Sequence, residues 1–209
     1  MSEAYKSIGK KYNNEKGVIS LTSWKARINT VSKTLFSLIQ QCPGFHIVLV
    51  LSEEEFPKKE KELPDNLMLF VDNGLIELMW VYKNYKSFKK VLFTMDKYRV
   101  VPVISADDDC IYTCNYAKIL YDEWLKSKCH IISYRKSKNN PGCPVGCSVL
   151  YSPYTFSYFI DAFKTFKIKN NQDDGFYWLI YRKNKLKFKA LFSDFPCIFH
   201  DQINPINGV

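Results

Sequence analysis

No stretch of this 209-residue chain approaches the ~20 consecutive apolar residues that a membrane-spanning helix requires. Residues 1–16 are polar and lysine-rich, with no apolar core of the kind a secretory signal carries. These two absences predict a soluble, cytoplasmic protein, with residues 1–16 as a flexible arm and residues 17–209 as one domain. Also missing are a Gly-x-Gly-x-x-Gly fingerprint and a glycine loop ending in Gly-Lys-Ser/Thr. Dinucleotide dehydrogenases and P-loop NTPases are therefore poorly supported. There is no internal repeat, no low-complexity tract and no evident linker. Cysteine is present but odd in number, at seven, which fits buried free thiols in a reducing compartment. The pairs Cys110-x3-Cys114 and Cys143-x3-Cys147 are looser than the usual Cys-x2-Cys zinc knuckle, so free thiols are the expected state.

Acidic charge is in deficit. Thirty Lys and Arg against 21 Asp and Glu leave +9 at neutral pH. A balance this basic suits a partner bearing phosphates: a nucleotide, a nucleic acid or an anionic membrane surface. The lysines are scattered through the chain rather than grouped with aromatics, which argues against a nucleic-acid-binding motif. Hydrophobic residues at 46% and charged residues at 24% are ordinary for a globular domain and argue against disorder.

Periodicity predicts an α/β fold. Gly17-Val18-Ile19-Ser20-Leu21-Thr22 reads as a strand, and Ile28, Val31, Leu35, Leu38 and Ile39 recur at helical spacing up to Pro43-Gly44. A second strand over 45–51 completes a strand–helix–strand unit of the kind that builds a parallel sheet. Residues 52–66 read as a charged connector, 75–81 as a strand, 86–98 as a basic helix and 100–106 as a buried strand. Beyond these come a helix capped by Thr113, a strand over 131–134 and a short strand over 148–151. Ser152-Pro153 starts a further helix, Asn171 caps another, and residues 185–209 form a basic, then aromatic, then polar end.

The strand over 100–106 runs into Asp107-Asp108-Asp109. Three adjacent carboxylates repel unless a cation or a proton sits among them. At the carboxyl end of a sheet strand, where α/β folds bind ligands, hard oxygen donors suit Mg²⁺ or Mn²⁺ bridging to phosphates. An acidic polar loop or helix cap is the plain alternative. Thr22, Ser23 and Arg27 follow the first strand and face a ligand if that turn is a nucleotide site; otherwise they form a solvated turn. Lys86, Lys89 and Lys90 can reach a diphosphate or simply line a solvated helix face. Asp173 and Asp174 offer a base for group transfer, or complement a helix dipole. His200, beside Asp201, is a further metal ligand or a structural histidine.

In chain order, Ile19-Ser20-Leu21-Thr22-Ser23-Trp24-Lys25-Ala26-Arg27-Ile28, Lys86-Ser87-Phe88-Lys89-Lys90, Ala106-Asp107-Asp108-Asp109-Cys110-Ile111-Tyr112, Gly146-Cys147-Ser148-Val149-Leu150-Tyr151 and Asp173-Asp174-Gly175-Phe176-Tyr177-Trp178 form five blocks. Together they resemble bacterial GT-A-type glycosyltransferases similar to glycosyltransferase family 2, which build capsule or lipooligosaccharide glycans. The similarity spans roughly residues 17–205. It implies one GT-A-like, Rossmann-like domain with a mostly parallel central sheet flanked by helices. It further implies a nucleotide pocket lined by Thr22, Ser23 and Arg27, with Lys86 and Lys89 near the donor. Asp107 and Asp109 would be the metal-binding acids of an Asp-x-Asp motif, with His200 as a further ligand, and Asp108 would touch ribose or sugar. Asp174, or its neighbour Asp173, would be the base of an inverting displacement.

The activity implied is sugar transfer from a nucleotide-sugar, a UDP-sugar foremost, to a glycan or lipid-linked glycan with Mn²⁺ or Mg²⁺ bound. The basic run from Arg182 to Lys189 would face an anionic membrane surface. Two other readings stay open. One is a nucleotidyltransferase on the same scaffold, and the other a non-catalytic basic protein that binds nucleic acid or scaffolds an assembly.

Overall fold

The computed structural model describes residues 16–112, 115–134, 146–165, 173–191 and 197–200. The described chain builds a seven-stranded sheet in the order β3-β2-β1-β4-β7-β6-β8 and a two-stranded one, β5-β9. The strands are β1 (Gly17–Thr22), β2 (Phe45–Ser52), β3 (Glu77–Val81), β4 (Val103–Ser105), β5 (Cys110–Tyr112), β6 (Ile131–Ser133), β7 (Val149–Tyr151), β8 (Phe188–Ala190) and β9 (Cys197–Phe199). The α-helices are α1 (Val31–Gln41), α2 (Asp65–Asp72), α3 (Lys89–Lys97), α4 (Tyr116–Ser127), α5 (Phe156–Thr165) and α6 (Asp173–Lys183).

β1, β2, β3 and β4 pair in parallel, β7 runs antiparallel to β4 and β6, and β8 returns parallel to β6. This is the expected α/β architecture with a mostly parallel sheet. β1 is buried at every position, as a strand covered on both faces must be. Alternate residues serve opposite layers. Ile19, Leu21, Ile47, Leu49, Leu51 and Ile104 pack with Leu35 and Leu38 of α1, Leu67 of α2 and Leu120 of α4. Val18, Val48, Val50 and Val103 pack instead with Val91 and Met95 of α3, Phe159 of α5 and Phe176 of α6. On that side Phe88 meets Phe163, Phe176 and Tyr177 at ring-centroid distances of 5.6, 5.4 and 6.2 Å, so the segment leading into α3 is fastened to α6.

Three local expectations need correction. Residues 52–66 are not a bare connector, because a 3-10 turn (Lys59–Glu62) is followed by α2 directly after Pro64. At eight residues α2 barely samples the helical period, which hid it. The helix expected over 86–98 opens as a 3-10 turn, Lys86–Phe88, with Lys86 at φ 51°. The strand expected over 100–106 is cut to Val103–Ser105, with Val100 exposed in a turn. The residues after the acid triplet form β5, which pairs with β9 across Cys110↔Phe199 and Tyr112↔Cys197. The caps Thr113 and Asn171, Cys114 and Cys143 of the two cysteine pairs, and the arm over residues 1–15 lie outside the described residues. No helix among the described residues is long and apolar enough to cross a membrane.

Glu77 at the outer edge of the sheet gives the fold a pH dependence. Burial alone would raise its carboxyl, but hydrogen bonds from His46, Lys97 and Tyr98 and the charge of Lys97 overcome this and hold it at about 2. A depressed carboxylate stabilises the fold above its unfolded pKa of about 4.3 and loses that contribution as pH falls toward 2. Glu77→Gln is expected to cost about 1–2 kcal/mol at pH 7. In urea unfolding followed at pH 7 and pH 3, the gap from the parent should narrow at the lower pH; an unchanged gap would refute the carboxylate's role.

Candidate active site

Parallel strands bring their carboxyl ends to one edge, and the acid triplet follows β4 there. Ala106 N–H still donates to Ser20 O at 2.9 Å, so the loop leaves the sheet from a fixed point. Asp107 N–H then donates to the Tyr112 hydroxyl (2.8 Å), which in turn donates to Cys147 O (2.7 Å). Thr34 Oγ1 of α1 donates to Asp108 O at 3.0 Å. The acids therefore sit on a loop held from both sides.

Asp108 does not face outward. One carboxylate oxygen accepts from Ser23 Oγ at 2.7 Å and the other from Arg27 Nη1 at 2.9 Å. Asp108 is 1% and Arg27 2% exposed. Ser23, Arg27 and Asp108, which the sequence reading set at a nucleotide pocket and at ribose or sugar, thus face one another here. These three side chains clamp the turn after β1 to the acid loop. Thr22 also turns inward, its hydroxyl donating to Val50 O at 2.6 Å. Burial raises the Asp108 carboxyl above its ordinary value despite Ser23 and Arg27.

The outer acids are more open, the Asp107 side chain being 31% and that of Asp109 16% exposed. Asp109 Oδ2 lies 3.1 Å from Arg27 Nη1, and burial together with the charge of Asp107 raises its carboxyl. Asp107 Oδ1 accepts from Lys90 Nζ at 2.6 Å. The same ammonium stands 3.7 Å from Asp173 Oδ2 in the first turn of α6. Burial would lower Lys90, but the charges of Asp107, Asp173 and Asp174 outweigh it and raise it. Asp173 is buried, which raises its carboxyl, and it accepts a hydrogen bond from Ser87; Asp174 is the more exposed of the two.

The basic segment divides three ways. Lys86 is exposed. Lys89 is buried and donates to Asn84 Oδ1 (2.7 Å) and Glu55 (3.2 Å). Lys90, one residue on, is the lysine at the acids. Ser87 and Lys90 share a helical face at i, i+3, the one signal that could have singled them out.

His200 comes alongside the triplet through β9, its N–H donating to Asp109 O at 2.8 Å. Its Nε2 is 3.0 Å from Thr34 Oγ1. Among the described residues, three ligand-type side chains converge to within 4.8 Å of one another at Cys110, Cys147 and Cys197, and Asp107, Asp109 and His200 form no such group. Five carboxylates, Asp107, Asp108, Asp109, Asp173 and Asp174, nevertheless meet two cations, Arg27 and Lys90. That negative surplus, built from hard oxygen donors, fits Mg²⁺ or Mn²⁺. A cleft of about 350 Å³ between α5 and α6, lined in part by Ser157, Asp161 and Lys183, includes none of these acids.

No family model matches the sequence, and no curated protein matches it. Solved structures do. Residues 1–349 of Staphylococcus aureus TarS match with a TM-score of 0.60 and 11% identity over 87% of this chain and 59% of that one. The same TarS segment in complex with UDP gives the same values. A cytidylyltransferase from Leptospira borgpetersenii matches at TM-score 0.60 and 12% identity, over 87% of this chain and 78% of that one. The fold is GT-A-like. In GT-A-like terms, the acid loop leaves β4 at the carboxyl edge of the sheet, and the α6 carboxylates approach it from the layer containing α3.

Proposed function

We propose that this protein is a metal-dependent glycosyltransferase that moves a sugar from a nucleotide-sugar, a UDP-sugar, to a glycan or lipid-linked glycan acceptor with inversion. The observation that carries the reading is the position of Lys90. It stands 2.6 Å from Asp107 and 3.7 Å from Asp173, joining the acid loop to the first turn of α6. A loop suited to a cation and a helix suited to supplying a base thus border one space. Asp107 and Asp109, with His200 beside them, would hold Mn²⁺ or Mg²⁺, which when bound supplies Lewis-acid stabilisation of the diphosphate leaving group. Lys90 fixes Asp107 and Asp173 relative to each other. Asp173, held by Lys90 and Ser87, positions the helix turn, while the more exposed Asp174 takes the proton from the acceptor hydroxyl. Lys86, Thr22 and the Ser23–Arg27–Asp108 clamp shape the nucleotide end of the site. The exposed basic residues Arg182, Lys183 and Lys185 suit an anionic membrane surface at the cytoplasmic face.

UDP titrated calorimetrically in the presence of Mn²⁺ should bind, GDP should bind more weakly, and omitting the metal should abolish UDP binding. Asp109→Ala should weaken UDP binding at least ~10-fold while remaining folded. If neither nucleotide binds with metal present, the transferase reading fails. A second reading, nucleotidyl transfer, is favoured by the cytidylyltransferase match. It requires pyrophosphate release from a nucleoside triphosphate with a sugar phosphate, whereas sugar transfer releases UDP.

A further inference from the structure

Beneath the acid loop three cysteines meet that the proposed reaction does not use. Cys110 opens β5, Cys147 lies in the 3-10 turn Gly146–Ser148 before β7, and Cys197 opens β9. All three are buried, and their sulfurs fall within 4.8 Å of one another. The Cys147 and Cys197 sulfurs are 3.7 Å apart. Sulfurs bound to one tetrahedral zinc at ~2.3 Å stand about 3.8 Å from each other. No Cys-x2-Cys spacing announces the site, because each ligand comes from a different segment.

We propose that Cys110, Cys147 and Cys197 form a structural site for a thiophilic divalent cation, Zn²⁺ being the natural occupant. Three converging soft donors select zinc over the magnesium or manganese suited to the acids above them. The surroundings favour a cation, since Asp109 Oδ1 lies 3.7 Å from Cys110 Sγ. The fold also has a use for such a tie. A two-stranded sheet of three-residue strands is marginal alone, yet β5 and β9 carry the acid loop and His200 side by side at one end. Zinc here fastens both strands to the turn before β7 and so sets the height of Asp107 and Asp109 above the sheet.

The test is metal analysis of the whole chain, purified reduced, without chelator and without a histidine tag. About one zinc per chain is expected in the parent and in Cys42→Ser, a buried cysteine outside the group, and none in Cys147→Ser or Cys197→Ser. Cobalt added to the chelated parent should give a thiolate charge-transfer band and the strong visible bands of a tetrahedral site. Should both variants fail to fold, the parent decides alone. Chelation should lower its melting temperature by at least about 5 °C, with zinc and not magnesium restoring it. Absence of thiolate–cobalt absorption in the reduced parent, or zinc retained in both variants, overturns the proposal, as does a Cys147–Cys197 disulfide in protein purified without reductant. Nucleotide binding does not enter these readouts, so this site and the transferase reading stand or fall separately.

Discussion

Replacing Arg27 with methionine is expected to lower stability by about 3–5 kcal/mol, among the largest single losses the molecule can show short of unfolding. The reason is what remains. Asp108 would keep its Ser23 hydrogen bond at 2.7 Å, but the guanidinium facing its second oxygen at 2.9 Å would be gone, in a place water does not reach. Asp109 would lose its 3.1 Å partner in the same step. For a chain of this size the melting temperature should fall by about 6–20 °C. The pH dependence has a definite sign. The folded pKa of Asp108 is already raised by burial, and removing Arg27 raises it further. A carboxyl raised in the fold favours folding when protonated and disfavours it when ionised. The deficit of Arg27→Met should therefore be full near neutrality and shrink as pH falls toward about 4. Arg27→Met combined with Asp108→Leu should recover most of the loss, because an apolar pair can replace a buried ion pair. Urea unfolding of the single and double variants at pH 7 and pH 5 decides it. A single variant within ~1 kcal/mol of the parent at pH 7 would mean that Asp108 is not held as an ion there.

The mostly parallel α/β core was legible because β1 and β2 are rich in apolar residues, and α1 has a clean helical repeat in Val31, Leu35 and Leu38. The acid triplet was legible as a candidate site because of where it falls, at the carboxyl end of β4. What the sequence could not assign was direction. Asp107, Asp108 and Asp109 are alike as letters, yet the middle one turns inward to Ser23 and Arg27 while the outer two stay more open. Lys89 and Lys90 differ by one helical step of about 100°, which sends the first to Glu55 and Asn84 and the second to the acids. The cysteine group was hidden for a third reason. Spacing rules detect ligands that lie close in sequence, and Cys147 and Cys197 come together only through the pairing of β9 with β5.

The first turn of α6 sets up the sharpest division between neighbouring residues. Asp174→Asn is expected to lower kcat by about 10²–10⁴-fold while leaving UDP affinity within about 2-fold of the parent, as loss of a base that acts only in the chemical step requires. The low-pH limb of the rate profile should vanish with it. Asp173→Asn should behave differently. It removes a charge 3.7 Å from Lys90 and weakens the link from α6 to Asp107, so nucleotide affinity should suffer along with rate. The geometry supports that order: Asp173 is buried and held by Lys90 and Ser87, whereas Asp174, in the same turn, is the one nearer solvent. Steady-state kinetics on a UDP-sugar, with UDP release as readout, would separate the two. If Asp173→Asn lost kcat with affinity intact and Asp174→Asn did not, the roles would exchange. If both variants kept kcat within about 10-fold of the parent, no carboxylate of this turn would be the base. The Asp107–Lys90–Asp173 chain would then serve only to fix α6 against the acid loop.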